Sequence, residues 1–522
     1  AAGEPRQNST GLDLTVPGLR QHLNARFATL AAETFSAGDN SGAGEALPVR
    51  SPANNEHIVG RVCEADASRV RAAIDRAKAA ESGWAARPVG ERAACLEAAA
   101  DALEADRDAL LYLLGAEAGR TVPDALAELR EAADFLRYYS WQARQHFAER
   151  TLPGPTGEAN TLSFQGRGTF ACISPWNFPL AIFLGQVSAA LAAGNCVLAK
   201  PAEQTPLVAG RAVTLLHAAG IPEDALQLLP GDGARIGALL TTDDRINGIA
   251  FTGSTETARQ INQTLAARTG PIVPFIAETG GQNVMIADST ALPEQLVDDV
   301  IDSAFRSAGQ RCSALRVLYL PAAIADKVLA MLRGAMAALT LGDPLDLATD
   351  IGPVIDTAAR DRLQVHANRM DEEASLIAAL EAPPARGSFF APRAYEIDSI
   401  TRLSGEVFGP ILHVVRYQPT DLDRVINEIN GTGYGLTLGI HSRIAAFATD
   451  IHARVRAGNT YINRNMIGAV VGVQPFGGQG LSGTGPKAGG PHYLERFAVE
   501  RTFTDNVTAR GGNAALFDLD ED

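Results

Sequence analysis

No apolar run in this 522-residue chain approaches the roughly 18 residues that a membrane-spanning helix requires. The opening residues carry no secretory-signal pattern, so none is expected. Basic stripes are also missing. The formal net charge is -15, which argues against nucleic acid as the main partner, because phosphate binding needs clustered Lys and Arg. The acidity is spread along the chain and speaks mainly to solubility. Cysteine is scarce: Cys63, Cys95, Cys172, Cys196 and Cys312 make no CxxC pair. That excludes a disulfide framework, offers no metal-ligand spacing, and fits a reducing compartment. No internal repeat or low-complexity block stands out. The first residue is Ala rather than Met, so the N-terminus is expected to be processed or cut from something longer.

What is present is an ordinary globular composition, 46% hydrophobic and 20% charged. The chain is too long for one core, so two to four domains are expected. Residues 14–32 carry helical spacing, and the Gly/Ser-rich stretch 36–46 reads as a linker. A turn at 51–55 precedes a short strand at 57–62. From 65 to about 149 apolar residues recur at steps of three and four, punctuated by Gly83, Pro88 and Gly119 into three or four helices. Pro153, Gly154, Pro155 and Gly157 then break the pattern, and 151–168 reads as a projecting β-hairpin.

From 168 to 286 short apolar strands (169–173, 196–199, 226–229, 248–251, 273–277 and 283–286) alternate with helices near 183–193, 206–218, 236–241 and 256–267. This alternation predicts a parallel sheet with ligands beyond the strands' carboxyl ends. A second α/β segment runs from Pro293, which opens a helix over 294–307, to about Tyr461. Residues 497–508 read as a strand and 511 onward as a flexible acidic end.

The chemistry centres on Ser307-Ala308-Gly309-Gln310-Arg311-Cys312-Ser313-Ala314. The other four cysteines sit among Ala, Val and Leu, where cysteine acts as a small hydrophobe. Cys312 has small or polar neighbours that admit a substrate, and Arg311 supplies a cation that favours thiolate. By itself the window reads better as a partly buried structural cysteine, and only the rest of the chain turns that reading.

Other windows follow strands. Gly231-Asp232-Gly233-Ala234-Arg235-Ile236-Gly237 opens a helix, as a pyrophosphate cradle does, but its spacing is GxGxxxG, and alone it reads better as a plain turn. Phe251-Thr252-Gly253-Ser254-Thr255-Glu256 offers, through Ser254 or Thr255, a helix cap or a phosphate hydroxyl. Lys200 and Glu203 are a solvated pair or a ribose grip. Asn177, in Ser174-Pro175-Trp176-Asn177-Phe178-Pro179, is fixed enough to be an oxyanion donor, or sits in a rigid turn. Glu278 beside Gly280 and Gly281 suits a general base or a cap. Glu406-Val407-Phe408-Gly409-Pro410 and Gln474-Pro475-Phe476-Gly477-Gly478 hold an aromatic on a Gly/Pro loop.

These windows, in this order, resemble the NAD(P)-dependent aldehyde dehydrogenase superfamily over about residues 45–506. The resemblance implies Cys312 as nucleophile, Asn177 with the Cys312 N–H as oxyanion hole, and Glu278 as the base for deacylation. NAD is the implied cofactor, held by Ser174, Trp176, Lys200, Glu203, Gly233, Gly237, Ser254, Glu406 and Phe408. Glu203 near the ribose 2′-hydroxyl favours NAD over NADP.

The run from Asn463 to Gly478 is similar to the anchor loop of L-glutamate γ-semialdehyde (1-pyrroline-5-carboxylate) dehydrogenases. This implies Ser313, Gly468 and Ala469 at the substrate carboxylate, Phe178 and Phe476 beside its aliphatic chain, and Glu131 near its ammonium. Some relatives carry Ser where Ala469 stands.

Residues 5–14 and 508–516 resemble the flanks of the dehydrogenase half of the bifunctional proline utilization A family. A flavin-dependent proline dehydrogenase half is therefore an expected partner. The expected α/β architecture has an N-terminal helical segment and linker (1–45), a Rossmann-like NAD domain (46–148 and 169–280), a catalytic α/β domain (281–482), a β-hairpin oligomerisation flap (149–168 and 497–508) and a tail (509–522). A homodimer, a small-molecule substrate and a bacterial cytoplasmic location go with it. Rival readings are a dehydrogenase of another semialdehyde, such as succinate semialdehyde, and a non-catalytic assembly module.

Overall fold

The computed structural model describes residues 6–38, 45–381 and 386–506. Helix α1 (Pro17–Leu30) turns Leu23, Phe27 and Leu30 inward at helical spacing. Three short strands follow, β1 (Phe35–Ala37), β2 (Leu47–Arg50) and β3 (Ile58–Val62), in the order β1-β3-β2. Ser36 and Ala37 are thus strand rather than linker, and β2 had no counterpart in the sequence reading. Residues 39–44 of that expected linker lie outside the described residues.

The helical run resolves into α2 (Ala67–Ala86), α3 (Val89–Ala105), α4 (Arg107–Ala118) and α5 (Val122–His146). Asp66 caps α2 by accepting from the Arg69 N–H at 2.8 Å. Gly83 lies inside α2, and the break falls at Arg87 and Pro88. The expected hairpin forms from β4 (Arg150–Leu152) and β5 (Glu158–Gly166), which pair antiparallel.

The alternating segment gives β6 (Thr169–Ile173), α6 (Ala181–Ala192), β7 (Cys196–Lys200), α7 (Pro206–Ala218), β8 (Leu226–Leu228), α8 (Gly233–Thr242), β9 (Gly248–Thr252), α9 (Thr255–Ala267) and β10 (Phe275–Glu278). All five strands are parallel, in the order β10-β9-β6-β7-β8. Strands β6 and β7 are buried at every position, as a sheet covered on both faces requires. The order reverses between β6 and β9, so a crevice opens beyond their carboxyl ends.

Strand β11 (Val284–Ala287) leaves this sheet and joins a seven-stranded one. It is followed by α10 (Pro293–Phe305), β12 (Val317–Pro321), α11 (Ala322–Ala337), α12 (Thr357–Glu373), β13 (Ser375–Ala379), β14 (Arg393–Ile397), β15 (Ile411–Tyr417), α13 (Leu422–Gly431), β16 (Thr437–His441), α14 (Ala445–Arg454) and β17 (Asn459–Ile462). The order is β13-β14-β15-β12-β11-β16-β17, with β13 antiparallel at the edge. Strand β18 (Ala498–Asn506) returns to pair with β5. The tail expected from 509 lies outside the described residues.

Two hydrophobic cores result. One draws on residues 23–277 plus Val471, Tyr493, Leu494, Phe497 and Ala498, and the other on residues 284–466. Full burial of a side chain such as Phe170 or Phe305 is worth about 1.5–3 kcal/mol. The chain between the cores, from the end of β10 to the start of β12, carries the chemically suggestive residues.

Candidate active site

Cys312 follows a turn that L-residues avoid. Ser307 (φ 55°), Ala308 (φ 53°) and Gly309 (φ 64°) are left-handed in succession. That conformation costs about 1–2 kcal/mol at each non-glycine residue. Helix α10 therefore stops at Phe305, two residues short of the expected end. Glycine is required at 309, where a Cβ would stand 2.3 Å from the Gly409 carbonyl oxygen.

Arg316, 1% exposed, holds the turn. Its guanidinium donates to the carbonyls of Gly309 (2.7 Å), Arg311 (3.0 Å) and Gly409 (3.2 Å), and pairs with Glu406 at 2.9 Å.

The expectation that Arg311 favours a Cys312 thiolate is overturned. Its guanidinium points to Asp124 (2.8 Å) and Ser307 Oγ (3.0 Å). Burial pushes the Cys312 thiol up to about 12, and the carboxylates of Glu406, Glu278 and Glu131 act in the same direction.

Two cavities meet at Cys312. The larger, about 640 Å³, lies in the crevice beyond β6 and β9 and is lined by Trp176, Asn177, Ser254, Glu406 and Phe408. Ser254 caps α9, its hydroxyl accepting from the Thr257 N–H at 3.2 Å, so a helix N-terminus opens on this cavity. Trp176 and Phe408 meet edge to face, with centroids 5.6 Å apart. Burial raises the Glu406 carboxyl while Arg316 draws it back.

The smaller cavity, about 90 Å³, is lined by Glu131, Phe178, Glu278, Ser313, Ala469 and Phe476. Phe178 lies under two guanidiniums, Arg120 at 4.3 Å and Arg311 at 5.3 Å. Burial pushes Glu131 up to about 7, reinforced by the neighbouring Glu128 carboxylate and opposed by Arg311 and Arg120. Glu278 ends β10, and neither of its carboxylate oxygens has a partner at hydrogen-bond geometry among the described residues. Burial holds its pKa well above the ordinary carboxylate range, against weaker pulls from the Gly478 N–H and Lys487. A carboxyl that is buried, unpartnered and beside a thiol is suited to accept a proton once water enters. Asn177 is anchored on the Cys312 segment, its amide donating to the Gln310 carbonyl at 3.3 Å. A primary amide keeps a second hydrogen for another acceptor.

Lys200, Glu203 and Gly233 form a separate group at the start of α8. Glu203 accepts from the Gly233 N–H at 3.0 Å, and a Cβ on Gly233 would lie 3.4 Å from Lys200 Nζ. Ser174 is buried with its hydroxyl unpartnered among the described residues, and Gly237 is an interior residue of α8. Neither residue, nor the Lys200 group, lines the larger cavity. Gly468 is not on the wall of the smaller one, although its neighbours Ile467 and Ala469 are.

Sequence reasoning missed the charges beneath the site. Asp124 receives Arg306 (3.1 Å) as well as Arg311, and Glu128 pairs with Arg120 (3.1 Å) while capping α6 through the Leu180 and Ala181 N–H groups. Asp124, Glu128 and Glu131 recur at steps of four and three on α5, a readable sign of one acidic helix face. Arg316 gave no sign, because in sequence it is a lone cation at the edge of the apolar run that becomes β12.

Comparison with known proteins places this geometry. The model of the family described as "Aldehyde dehydrogenase family" matches residues 39–503. Bifunctional protein PutA of Escherichia coli (strain K12) is 49% identical over 513 residues, which cover 96% of this chain and 38% of that protein. The chain thus spans under two-fifths of the length of that curated relative. A crystal structure of bifunctional proline utilization A superposes with a TM-score of 0.89 at 55% identity, covering 98% of this chain and 49% of the other. The 1-pyrroline-5-carboxylate dehydrogenase from Thermus with bound NAD superposes with a TM-score of 0.92 at 30% identity, covering 97% and 100%.

Proposed function

The chain belongs to the aldehyde dehydrogenase family, and from that premise we propose that it oxidises L-glutamate γ-semialdehyde to L-glutamate with NAD, the second step of proline catabolism. The observation that carries the reading is the placement of Cys312 where a large crevice and a smaller cavity meet. A cofactor and an aldehyde can thus reach one sulfur from two sides.

The crevice fits a dinucleotide. It lies at the switch point of a parallel sheet and a capped helix opens on it, while Gly233, in the separate group at the start of α8, leaves room that a side chain would fill. Trp176, Ser254, Glu406 and Phe408 would hold NAD there, with Ser174, Lys200, Glu203, Gly233 and Gly237 toward the adenosine end. When bound, NAD supplies the hydride acceptor.

Cys312 gives up its proton and attacks the aldehyde carbon, forming a thiohemiacetal. The oxyanion is received by the Asn177 amide and the Cys312 N–H, a contribution of about 3 kcal/mol for one such donor. After oxidation Cys312 carries the acyl group as a thioester. Glu278 takes a proton from the water that hydrolyses it. Ser313 with Gly468 and Ala469 holds the substrate carboxylate, Phe178 and Phe476 flank its chain, and Glu131 faces its ammonium.

The same proposal includes the division into an NAD part (46–148 and 169–280), a catalytic part (281–482) and a flap (149–168 and 497–508), which the two cores support. It includes a homodimer through the flap, supported by Val499 and Phe503, exposed on one face of edge strand β18. A flavin-dependent proline dehydrogenase partner and a bacterial cytoplasmic location complete it. Among the described residues no helix is long and apolar enough to cross a membrane.

The test is NADH formation, followed by absorbance, with L-glutamate γ-semialdehyde, succinate semialdehyde and propanal. A strong preference for the first supports the proposal. Equal or better use of the others removes the substrate assignment, and activity surviving in Cys312→Ala removes the mechanism.

A further inference from the structure

The loop that follows β17 is gripped by arginines. Arg464 donates to the Gly468 carbonyl at 3.2 Å, and Arg311 reaches the Ile467 carbonyl at 3.5 Å. Arg6, from the segment that precedes α1, donates to the Val471 carbonyl. With these carbonyls taken up by guanidiniums, the Gly468 and Ala469 N–H groups donate to nothing among the described residues. Unpaired successive N–H groups are what an anion needs.

Arg311 bridges the loop to Asp124 at the start of α5, and Arg6 ties it to the same helix, a second wall of the small cavity, further along. Its guanidinium pairs with Asp134 at 3.5 Å and lies over the Tyr138 ring at 5.3 Å. Both residues are on α5. Asp134 is one step of three from Glu131, so the two carboxylates share a helix face. The pair is largely dry, with side chains 13% and 9% exposed. Arg6 is itself held, because Ser9 N–H donates to Asp134 at 2.8 Å and Arg130 donates to the Ser9 carbonyl at 3.2 Å. Val471 is buried in the first core, so the carbonyl that Arg6 grips lies on a fixed point of the loop.

We propose that Arg6 is a positioning residue for substrate selection: it clamps the 467–471 loop onto α5 in the shape that leaves the Gly468 and Ala469 N–H groups free for a carboxylate. Arg6 touches neither the thiol nor the aldehyde. Its role is to set the distance between the anion-holding loop and the Glu131 wall, and therefore the fit of an amino-acid aldehyde as against a plain one. The inference rests on the proposed reaction and deepens it.

The test is a KM-against-kcat comparison of Arg6→Met and Arg6→Lys with the unaltered chain, using L-glutamate γ-semialdehyde and propanal. In Arg6→Met, KM for the semialdehyde is expected to rise at least tenfold with kcat within twofold, while kcat/KM for propanal stays within twofold. Arg6→Lys should recover part of the loss. Asp134→Asn, which leaves Arg6 in place without its carboxylate, should shift KM in the same direction and serves if Arg6→Met folds poorly. Calorimetric binding of L-glutamate should weaken in parallel. Equal loss on both aldehydes, or no change on either, overturns the inference while the reaction stands. No preference for the semialdehyde in the unaltered chain overturns the reaction reading, and this inference with it.

Discussion

Replacing Arg316 by Met tests the claim that one buried guanidinium fixes the cysteine turn. Met keeps the length of the stem and removes every donor. The Gly309 carbonyl loses its partner, the Arg311 and Gly409 carbonyls keep only the Ala314 and Ile411 N–H groups, and Glu406 is left without its cation. Breaking a buried ion pair from one side costs about 3–5 kcal/mol, because the remaining charge stays desolvated. A unit of about 150–250 residues loses about 2–4 °C in Tm for each kcal/mol. The second core, drawn from residues 284–466, is of that size. The expected fall in Tm is therefore roughly 6–20 °C. Catalysis should fall further than stability alone implies, since a misplacement of about 1 Å at the reacting atom costs about 100-fold in rate. The assays are calorimetric Tm and kcat for aldehyde oxidation at a temperature where the variant is folded. Arg316→Lys keeps the charge but not the fork, and should fall between. A Tm change under about 2 °C with kcat within threefold would refute the clamp.

Gly309→Ala should destabilise the protein by at least about 2 kcal/mol, read from the denaturant midpoint, because it combines a left-handed φ of 64° with a Cβ 2.3 Å from a carbonyl oxygen. Glu131 holds its proton below about pH 7 and is anionic above it, so KM for the semialdehyde should fall as pH rises through 7, and Glu131→Gln should flatten that profile. The stability sign runs the other way: its folded pKa lies above the ordinary 4.5, so its contribution is fully present below about pH 4.5 and lost through pH 7. Glu131→Gln should therefore gain stability relative to the unaltered chain at pH 8, measured by Tm at both pH values. Phe503→Glu puts a charge on a side chain that is 64% exposed on β18, and sedimentation should show the proposed dimer shifting to monomer with the monomer's Tm unchanged.

The parts legible in the sequence are those that local physics determines. Strand β6 and helix α7 fall on the expected residues, because an apolar run closed by Pro or Gly needs no distant partner to be read. The hairpin β4–β5 was visible from its Pro and Gly, and the cap of α9 was narrowed to Ser254 or Thr255, of which Ser254 serves. Strand β2 was not, because Leu47, Pro48, Val49 and Arg50 become a strand only by lying against β3. At the site, the sequence placed Cys312, Asn177 and Glu278 in separate windows. Their convergence is a property of where β6, β10 and the 307–312 turn end.

Arg311 is the clearest failure, and its cause is physical. Neighbours in sequence are neighbours in charge only if the side chains point the same way. Here a left-handed turn sends Cys312 toward the cavities and Arg311 into the α5 side, where Asp124 waits at 2.8 Å. Such a network, buried apart from the 37% exposed Arg306, is a poor way to gain stability, since well-packed apolar residues of equal volume often do as well or better. Asp124, Glu128, Arg120, Arg306 and Arg311 instead impose geometry. Glu128 fixes the start of α6, Asp124 fixes Ser307 and Arg311, and Arg120 with Arg311 covers the Phe178 ring. One helix face thereby registers the oxyanion-side turn, the cysteine turn and the small cavity against one another. The left-handed residues at 307 and 308 persist because that face and Arg316 over-determine them. The strain lies where the reactive thiol must be held, and the charges that enforce it lie one layer below.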